Sequence, residues 1–290
     1  MARKIWIGIL AGALLIIGLA LWLRPAPVEA SRDIFILMYH DIREEPVEDN
    51  DMILSRAAFR AQMTALREAG FETVSFDDLI AYVDRGVALP PQAIVITFDD
   101  GYRSNLIYAA PILEELGMCA TISVIGVSRG RDTHEATGHP IIPHFSFEEA
   151  LPWVEAGVIQ IQHHSYNMHQ SPKVEPPETF REGALRREGE SEAEHRAAFI
   201  EDFNILRDQI EAALGTQVTV YAYPHGRYTP ELDAILRELG VRVTLTLQVG
   251  VNTIRHGEPE SLFLLNRIHM TEDMDPHAFV AFLESFRAED

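Results

Sequence analysis

Residues 93–102 read Ala-Ile-Val-Ile-Thr-Phe-Asp-Asp-Gly-Tyr, an apolar run that ends in two adjacent carboxylates and a glycine. The β-branched start of this stretch predicts a buried strand, and Asp99 and Asp100 then lie at the C-terminal end of that strand. Folding alone does not require two charges at such a place. The pair of carboxylates therefore indicates a chemical role in a functional site.

A second polar cluster follows the apolar run Val158–Ile161 and reads His163-His164-Ser165-Tyr166-Asn167-Met168-His169. One carboxylate with two imidazoles is a three-ligand set for a catalytic divalent metal, and it leaves positions open for water and substrate. The other carboxylate is then free to act as a base. We expect His163 to be a structural neighbour rather than a ligand, because a strand turns adjacent side chains to opposite faces. Together the clusters predict metal-assisted hydrolysis.

The composition supports one globular domain and excludes one class of partner. The chain has 290 residues, of which 47% are hydrophobic, which is enough for a single sizeable core. Its 24 basic and 44 acidic residues give a formal net charge of −20. That balance argues against nucleic acid as a partner, because phosphate binding needs Lys and Arg surfaces. Cys119 is the only cysteine, so no intramolecular disulfide can form.

The N-terminal residues predict a membrane segment. An uncharged apolar run, Ile5–Leu23, follows two basic residues and, as a helix, would span roughly 28 Å, about the hydrocarbon thickness of a bilayer. We expect residues 1–30 to be a retained single-pass anchor plus linker. The alternative is a signal segment cleaved after Ala30, which would give a secreted protein. In both cases residues 31–290 are the catalytic domain and lie outside the cytoplasm.

Strands alternate with helices along the rest of the chain, which predicts an α/β fold with a parallel sheet, open or closed into a barrel. The expected main strands are Ile34–Tyr39, Ala93–Phe98, Cys119–Ile125, Val158–Gln162, Val218–Tyr223, Val241–Leu247 and Leu262–Arg267. Function in such folds collects at the C-terminal ends of the strands. The polar groups at such ends are His40-Asp41, Asp99-Asp100, His164 to His169, Pro224-His225-Gly226 and His269. Histidines 134, 139 and 144 are expected at a loop surface, and the Pro- and charge-rich stretch 171–194 as an exposed excursion.

On these residues the chain resembles the NodB-like polysaccharide deacetylases, the family 4 carbohydrate esterases. The stretch 97–102, Thr-Phe-Asp-Asp-Gly-Tyr, matches the first motif of that family. His164 to His169 matches the second motif in its longer form, with four residues between the histidines, and 222–226, Ala-Tyr-Pro-His-Gly, resembles the third. The resemblance covers about residues 34–270. It implies a distorted (β/α) barrel of about seven parallel strands, and the transmembrane helix predicted from Ile5–Leu23 precedes this barrel.

The resemblance also implies roles for individual residues. Asp99 would be the catalytic base, and one divalent ion would be held by Asp100, His164 and His169; zinc suits these ligands, as do cobalt, nickel and iron. The backbone at His225 would help to hold an oxyanion. No clear Leu-x-His motif is present, so His269 is the nearest candidate for the general acid. The expected substrate-binding residues are Tyr102, Tyr166, Tyr223, Pro224 and Arg267, of which the last can also supply the cation that orients the base. Ala222 departs from the pattern, since the third motif usually carries Arg there.

The longer histidine spacing is similar to that of deacetylases of poly-β-1,6-N-acetylglucosamine. It implies a hydrolase that removes N-acetyl groups from this exported polymer, with the membrane and an export or synthase machinery as further partners. Three alternatives remain open: a peptidoglycan N-acetylglucosamine deacetylase, an amide hydrolase for a non-sugar metabolite, and a non-catalytic glycan-binding protein that has kept the groove and lost the acid.

Overall fold

The computed structural model describes residues 29–135, 137–173, 175 and 180–286. The predicted membrane segment Ile5–Leu23 lies outside these ranges. Inside them, none of the helices combines the length and the apolar character that spanning a bilayer requires.

Strands and helices alternate along the described chain, as the sequence predicts. The strands are β1 (Ser31–Tyr39), β2 (Asp41–Arg43), β3 (Ile53–Ser55), β4 (Glu72–Thr73), β5 (Ala93–Phe98), β6 (Ala120–Val124), β7 (Ile159–His163), β8 (Val220–Ala222), β9 (Val243–Leu245), β10 (Asn252–Arg255) and β11 (Ile268–His269). The α-helices are α1 (Arg56–Glu68), α2 (Phe76–Arg85), α3 (Ala110–Leu116), α4 (Phe147–Glu155), α5 (Glu192–Leu214), α6 (Pro230–Glu238) and α7 (Pro276–Ser285). Serine side chains cap α2, α4 and α5 through capping boxes at Ser75, Ser146 and Ser191.

The main sheet is mostly parallel and curls towards a barrel. Its neighbours follow the order β10-β1-β5-β6-β7-β8-β9, with β4 added beside β5 and β11 beside β1. The pair β1–β10 is antiparallel, and the other neighbours in this order are parallel. Residues 265–269 contact the first and the last strand of the parallel part of the sheet, because β11 pairs with β1 while Leu265 pairs with Leu245 of β9. The strands β2 and β3 form a separate parallel pair.

Each central strand is buried on both faces. In β1, Phe35, Leu37 and Tyr39 belong to a core that packs against α1 and α3 to α7, which cover the outer face of the sheet. Ile34 and Ile36 belong to a second core, which fills the concave inner face together with α2. The parity of a residue in its strand therefore decides whether its side chain meets the helices or the interior of the curled sheet.

The region between β9 and α7 differs from the sequence prediction. A strand was expected at Leu262–Arg267, but a 3₁₀ turn occupies Pro259–Leu262 and the strand β11 begins only at Ile268. The strand β10 was not predicted. It alternates buried and exposed residues and forms by antiparallel pairing with the start of β1, a contact that no local pattern encodes.

Candidate active site

The first acidic pair lies where β5 ends, and strand parity points Asp99 inward. Ala93 and Val95 face the inner core, and two residues further on Thr97 donates its hydroxyl hydrogen to the Leu37 carbonyl at 2.8 Å. The backbone N–H of Asp99 donates to the Tyr39 carbonyl at 3.0 Å, which extends the pairing with β1 beyond the strand. Asp100 then turns the chain with a left-handed φ of 72°.

The glycine of this motif is required by both backbone conformation and space. Gly101 has a φ of 87°, and a Cβ at this position would lie 2.9 Å from Cγ1 of Val124 on the neighbouring strand β6. Any other residue would clash there and would also strain the backbone.

Asp99 forms a fully buried ion pair with Arg267. Nη1 and Nη2 of Arg267 donate to Oδ1 and Oδ2 of Asp99, each at 2.8 Å, and the Arg267 Nε donates to the Thr246 carbonyl. Burial raises the pKa of Asp99, but the charge and the hydrogen bonds of Arg267 outweigh burial and hold this pKa below its usual value. Asp99 is therefore an ionised carboxylate in a fixed orientation.

The three expected ligands converge on one point. Oδ1 of Asp100 lies 3.6 Å from Nε2 of His164 and 3.6 Å from Nε2 of His169, and all three atoms lie within 4.8 Å of one another. Nδ1 of His164 donates to the Ala222 carbonyl at 2.8 Å, which leaves its Nε2 free as a ligand. Burial lowers the pKa of His164 to about 4, so this imidazole is neutral near neutral pH.

The donor set fits a divalent cation. Oδ1 of Asp100 is buried and has no hydrogen-bond partner among the described residues. A buried carboxylate oxygen without a donor is unfavourable, and a cation between the three groups would satisfy it. One carboxylate and two imidazoles match the ligands of catalytic zinc sites.

His163 lies on the opposite face of β7, as expected. Its ring stacks on Phe203 of α5 at 4.6 Å between centroids and on Tyr221 at 5.1 Å, and its Nε2 donates to the Phe203 carbonyl. Burial lowers its pKa to about 3. It is a packing residue.

The third motif places its residues in different environments. His225 has a left-handed φ of 55°, its ring centroid lies 4.1 Å from that of His169, and its Nε2 donates to the Gln170 carbonyl. A cavity of about 590 Å³ borders His225 and Gly226. Pro224 is buried beside it.

Two of the expected substrate-binding side chains cannot reach a ligand. Tyr223 has no exposed surface, because it faces the outer core, and its hydroxyl donates to Oδ1 of Asp233 at 3.1 Å. Arg267 is also fully buried, behind Asp99. Neither side chain is therefore available to bind substrate, and Arg267 instead orients Asp99.

Tyr102 lies beside the carboxylates, and His144 packs against it. Burial and the neighbouring Asp100 carboxylate raise the pKa of Tyr102, whose ring centroid is 5.0 Å from that of His144. The surface position expected for His144 is wrong: the residue is only 5% exposed, because an antiparallel bridge to Tyr102 draws its loop against the site. Tyr166 is partly exposed and packs close to Gly126, on the side of the histidine loop that faces α5.

Two further histidines lie next to this centre, at the ends of β1 and β11. The rings of His40 and His269 are 5.7 Å apart. Burial lowers the pKa of His40 against the opposing effect of the Asp100 and Asp99 carboxylates. Burial and the charge of His40 lower the pKa of His269, whose other charged neighbours are Asp51 and Arg267. Of these two histidines, His40 is therefore the one whose charged neighbours include both Asp99 and Asp100. Its position at a strand end was the signal in the sequence.

The comparisons with known proteins agree with this site. The family described as polysaccharide deacetylase matches residues 86–244, which include both acidic residues and both ligand histidines. The chain is similar to YxkH of Bacillus subtilis (strain 168), a candidate polysaccharide deacetylase, with 26% identity over 252 residues, or 87% of this chain and 76% of YxkH.

The chain is also similar to a named deacetylase and to a protein of known structure. The poly-β-1,6-N-acetyl-D-glucosamine N-deacetylase of Escherichia coli (strain K12) is 22% identical over 227 residues, which cover 74% of this chain and 34% of that enzyme. The solved structure of IcaB from Ammonifex degensii is 26% identical with a TM-score of 0.67, and the match covers 86% of this chain and 96% of IcaB. Because the family match spans more than half of the 290 residues, the chain belongs to the polysaccharide deacetylase family.

Proposed function

We propose that this chain is a metal-dependent hydrolase that removes N-acetyl groups from an extracytoplasmic N-acetylglucosamine polymer, namely poly-β-1,6-N-acetylglucosamine. One observation carries the proposal: three ligand atoms of Asp100, His164 and His169 lie within 4.8 Å of one another. Beside them Asp99 is held ionised by Arg267. The longer histidine spacing and the likeness to the E. coli deacetylase favour this polymer over peptidoglycan.

Each residue then has a defined task. Asp100, His164 and His169 would hold one ion, for which zinc is our first choice and cobalt, nickel or iron the alternatives. Such an ion would polarise the acetamide carbonyl and would make a bound water more acidic. Asp99 accepts the proton of the attacking water, because it is ionised and its two oxygens are fixed. The backbone at His225, next to His169, stabilises the oxyanion.

The proton donor to the leaving amine is His40 in this proposal, rather than His269. Asp99 and Asp100 are charged neighbours of His40, whereas those of His269 are His40, Asp51 and Arg267. His269 then supports His40, whose ring centroid lies 5.7 Å from its own. Tyr102 and the cavity beside His225 are the parts of the surface that we assign to the sugar chain.

The proposed location follows from the sequence. Residues 1–30 anchor the chain or direct its export, and residues 31–290 act outside the cytoplasm, where an export or synthase machinery for the polymer is the expected partner. Membrane fractionation of the tagged protein, with sequencing of its mature N-terminus, separates a retained anchor from a cleaved signal.

The reaction is tested with purified protein, first freed of metal and then loaded with one divalent metal at a time. Acetate and free amine are measured with β-1,6-linked N-acetylglucosamine oligomers, chitin oligomers and peptidoglycan fragments. We expect metal-dependent release from the β-1,6 oligomers, and a fall in rate of about 100-fold or more in Asp99→Asn and in His40→Gln, with a smaller fall in His269→Gln. Release only from the other polymers contradicts the substrate, and a larger loss in His269→Gln than in His40→Gln contradicts the assigned donor.

A further inference from the structure

The loop between the two ligand histidines has an unusual hydrogen-bond pattern. It consists of Ser165, Tyr166, Asn167 and Met168, and each of their backbone N–H groups donates to a side chain. The Ser165 N–H donates to Nδ1 of His163 at 2.9 Å, and the Met168 N–H donates to Oγ of Ser165 at 3.1 Å. The two N–H groups between them both donate to Asp202, to Oδ1 at 2.8 Å and to Oδ2 at 2.7 Å. Side chains therefore satisfy all four N–H groups, while the carbonyls of Ser165 and Tyr166 accept from the backbone N–H groups of Gly126 and Val127 at 3.1 and 2.8 Å.

Asp202 occupies a position where packing would favour an apolar residue. It lies in the middle of α5, only 8% exposed, on the buried side of the helix with Phe199, Phe203 and Leu206. No ion-pair partner for Asp202 lies within 4 Å in the described part of the chain, so its two backbone donors are what compensate the burial of this carboxylate. Burial raises its pKa to about 6, while the two backbone donors and the charge of Arg181 act in the opposite direction.

The two ligand histidines are held in different ways. His164 follows directly from β7, and its Nδ1 is bound to the Ala222 carbonyl. For His169 the structure provides ring contacts, with centroids 4.8 Å from His164 and 4.1 Å from His225. The place of His169 therefore depends on the path of its loop, which turns sharply at Ser165 with a left-handed φ of 74°.

We propose that Asp202 is a positioning residue for the metal centre. By fixing the backbone of residues 166 and 167, its carboxylate sets the loop so that Nε2 of His169 meets Oδ1 of Asp100. The inference rests on the proposed function in one respect, namely that Asp100, His164 and His169 bind a metal ion. A metal-ligand geometry held by outer groups in this way loses affinity when those groups are removed.

The test measures zinc affinity, because a purely structural role for Asp202 would change stability alone. Full-length metal-free protein is titrated with zinc in competition with a chromophoric chelator, and thermal unfolding is recorded in parallel. In Asp202→Asn the shape is kept, but the amide can accept only one of the two N–H groups; Asp202→Ala removes both acceptors. The control is Ile210→Ala, a core residue two turns further along the same helix, fully buried and outside the loop.

We expect zinc affinity to fall about 10-fold in Asp202→Asn and up to about 100-fold in Asp202→Ala. Ile210→Ala should unfold at a lower temperature and bind zinc like the wild type. Wild-type affinity in the folded Asp202 variants overturns the positioning role, as does an equal loss in Ile210→Ala. Absence of zinc binding by the wild type overturns both this inference and the metal centre. A wild type that binds zinc with the expected variant pattern but releases no acetate overturns the proposed reaction alone.

Discussion

At the scale of single residues, the ion pair between Asp99 and Arg267 is explained by the proposed reaction and not by stability. A buried ion pair is seldom better for stability than well-packed apolar residues of the same volume, since desolvation of both charges offsets their attraction. The pair is completely buried and bidentate, so its desolvation is close to complete. What it supplies is an ionised and oriented carboxylate, which is the base in the proposed reaction.

Removal of the arginine charge should destabilise the fold strongly. Arg267→Gln leaves Asp99 buried without a cation, and we expect the free energy of unfolding in urea to fall by about 3–5 kcal/mol. Arg242→Gln is the control, because Arg242 pairs with Asp84 at 2.7 Å near the surface and should cost no more than about 1 kcal/mol. The double variant Asp99→Asn/Arg267→Gln should be more stable than Arg267→Gln alone. Equal losses in Arg267→Gln and the control would contradict this account.

At the scale of elements, the segment between β7 and α5 is more than the exposed excursion that its composition suggests. Arg181 is 4% exposed and forms a bidentate pair with Glu190 at 2.7 and 2.8 Å. The backbone N–H of Arg181 donates to Oε1 of Gln170, and Nε2 of Gln170 donates to the Asn167 carbonyl. The described residues 180–190 are thus tied to the loop that carries His169.

The contribution of the ion pair between Arg181 and Glu190 should be visible in the pH dependence of stability. The hydrogen bonds from Arg181 lower the pKa of Glu190 to about 2, from an ordinary value of 4.5. A lowered carboxyl pKa contributes stability that is complete above the unfolded value and is lost as the pH falls towards the folded one. Glu190→Gln should therefore melt below the wild type at about pH 7, and the difference should shrink between about pH 4.5 and pH 2. Glu115→Gln, which removes an exposed pair with Arg60, should show little difference at any pH; a difference for Glu190→Gln that does not change with pH would refute the assignment.

At the scale of the whole molecule, buried histidines make the stability of the fold depend on pH. Burial lowers the pKa of His163 to about 3 and that of His164 to about 4, while both residues titrate near 6.5 in an unfolded chain. A histidine with a lowered pKa contributes stability above its unfolded value and loses it as the pH falls. We expect the metal-free protein to lose about 1.4 kcal/mol per pH unit for each of them between about pH 6.5 and pH 4. Asp202, whose pKa is raised to about 6, acts in the opposite direction and offsets part of this loss.

Calorimetry checks this expectation directly. Unfolding at about pH 5.5 should take up protons, which is measured as a dependence of the unfolding enthalpy on the ionisation enthalpy of the buffer. Stability that does not change between about pH 7 and pH 5 would show that the folded chain binds these protons as readily as the unfolded one.

Much of the architecture and the ligand set is readable from the sequence because both depend on local patterns. Alternating strands and helices predict the mostly parallel sheet, and polar residues after apolar runs mark its carboxyl edge. That edge brings Asp100, His164 and His169 together. The acidic pair and the two spaced histidines also identify the family, which the family match confirms.

The parts that the sequence does not reveal depend on distant contacts or on parity. The substrate-binding role expected for Tyr223 fails because successive side chains point to opposite faces: Ala222 lies in the inner core, and Tyr223 packs in the outer core. His144 is buried because its loop pairs with Tyr102. Asp202 gives no signal at all, since an acidic residue in a long helix is normally solvated, and only the folded loop supplies its donors.

The segment 265–269 has a consequence for the order in which the proposed site is completed during folding. Arg267 lies 168 positions after Asp99, so the carboxylate and its cation belong to distant parts of the chain. Until this segment docks across β9 and β1, the carboxylate lacks its counter-charge. A chain that ends before Arg267 can therefore hold Asp100, His164 and His169 and still lack the group that keeps Asp99 ionised and in place.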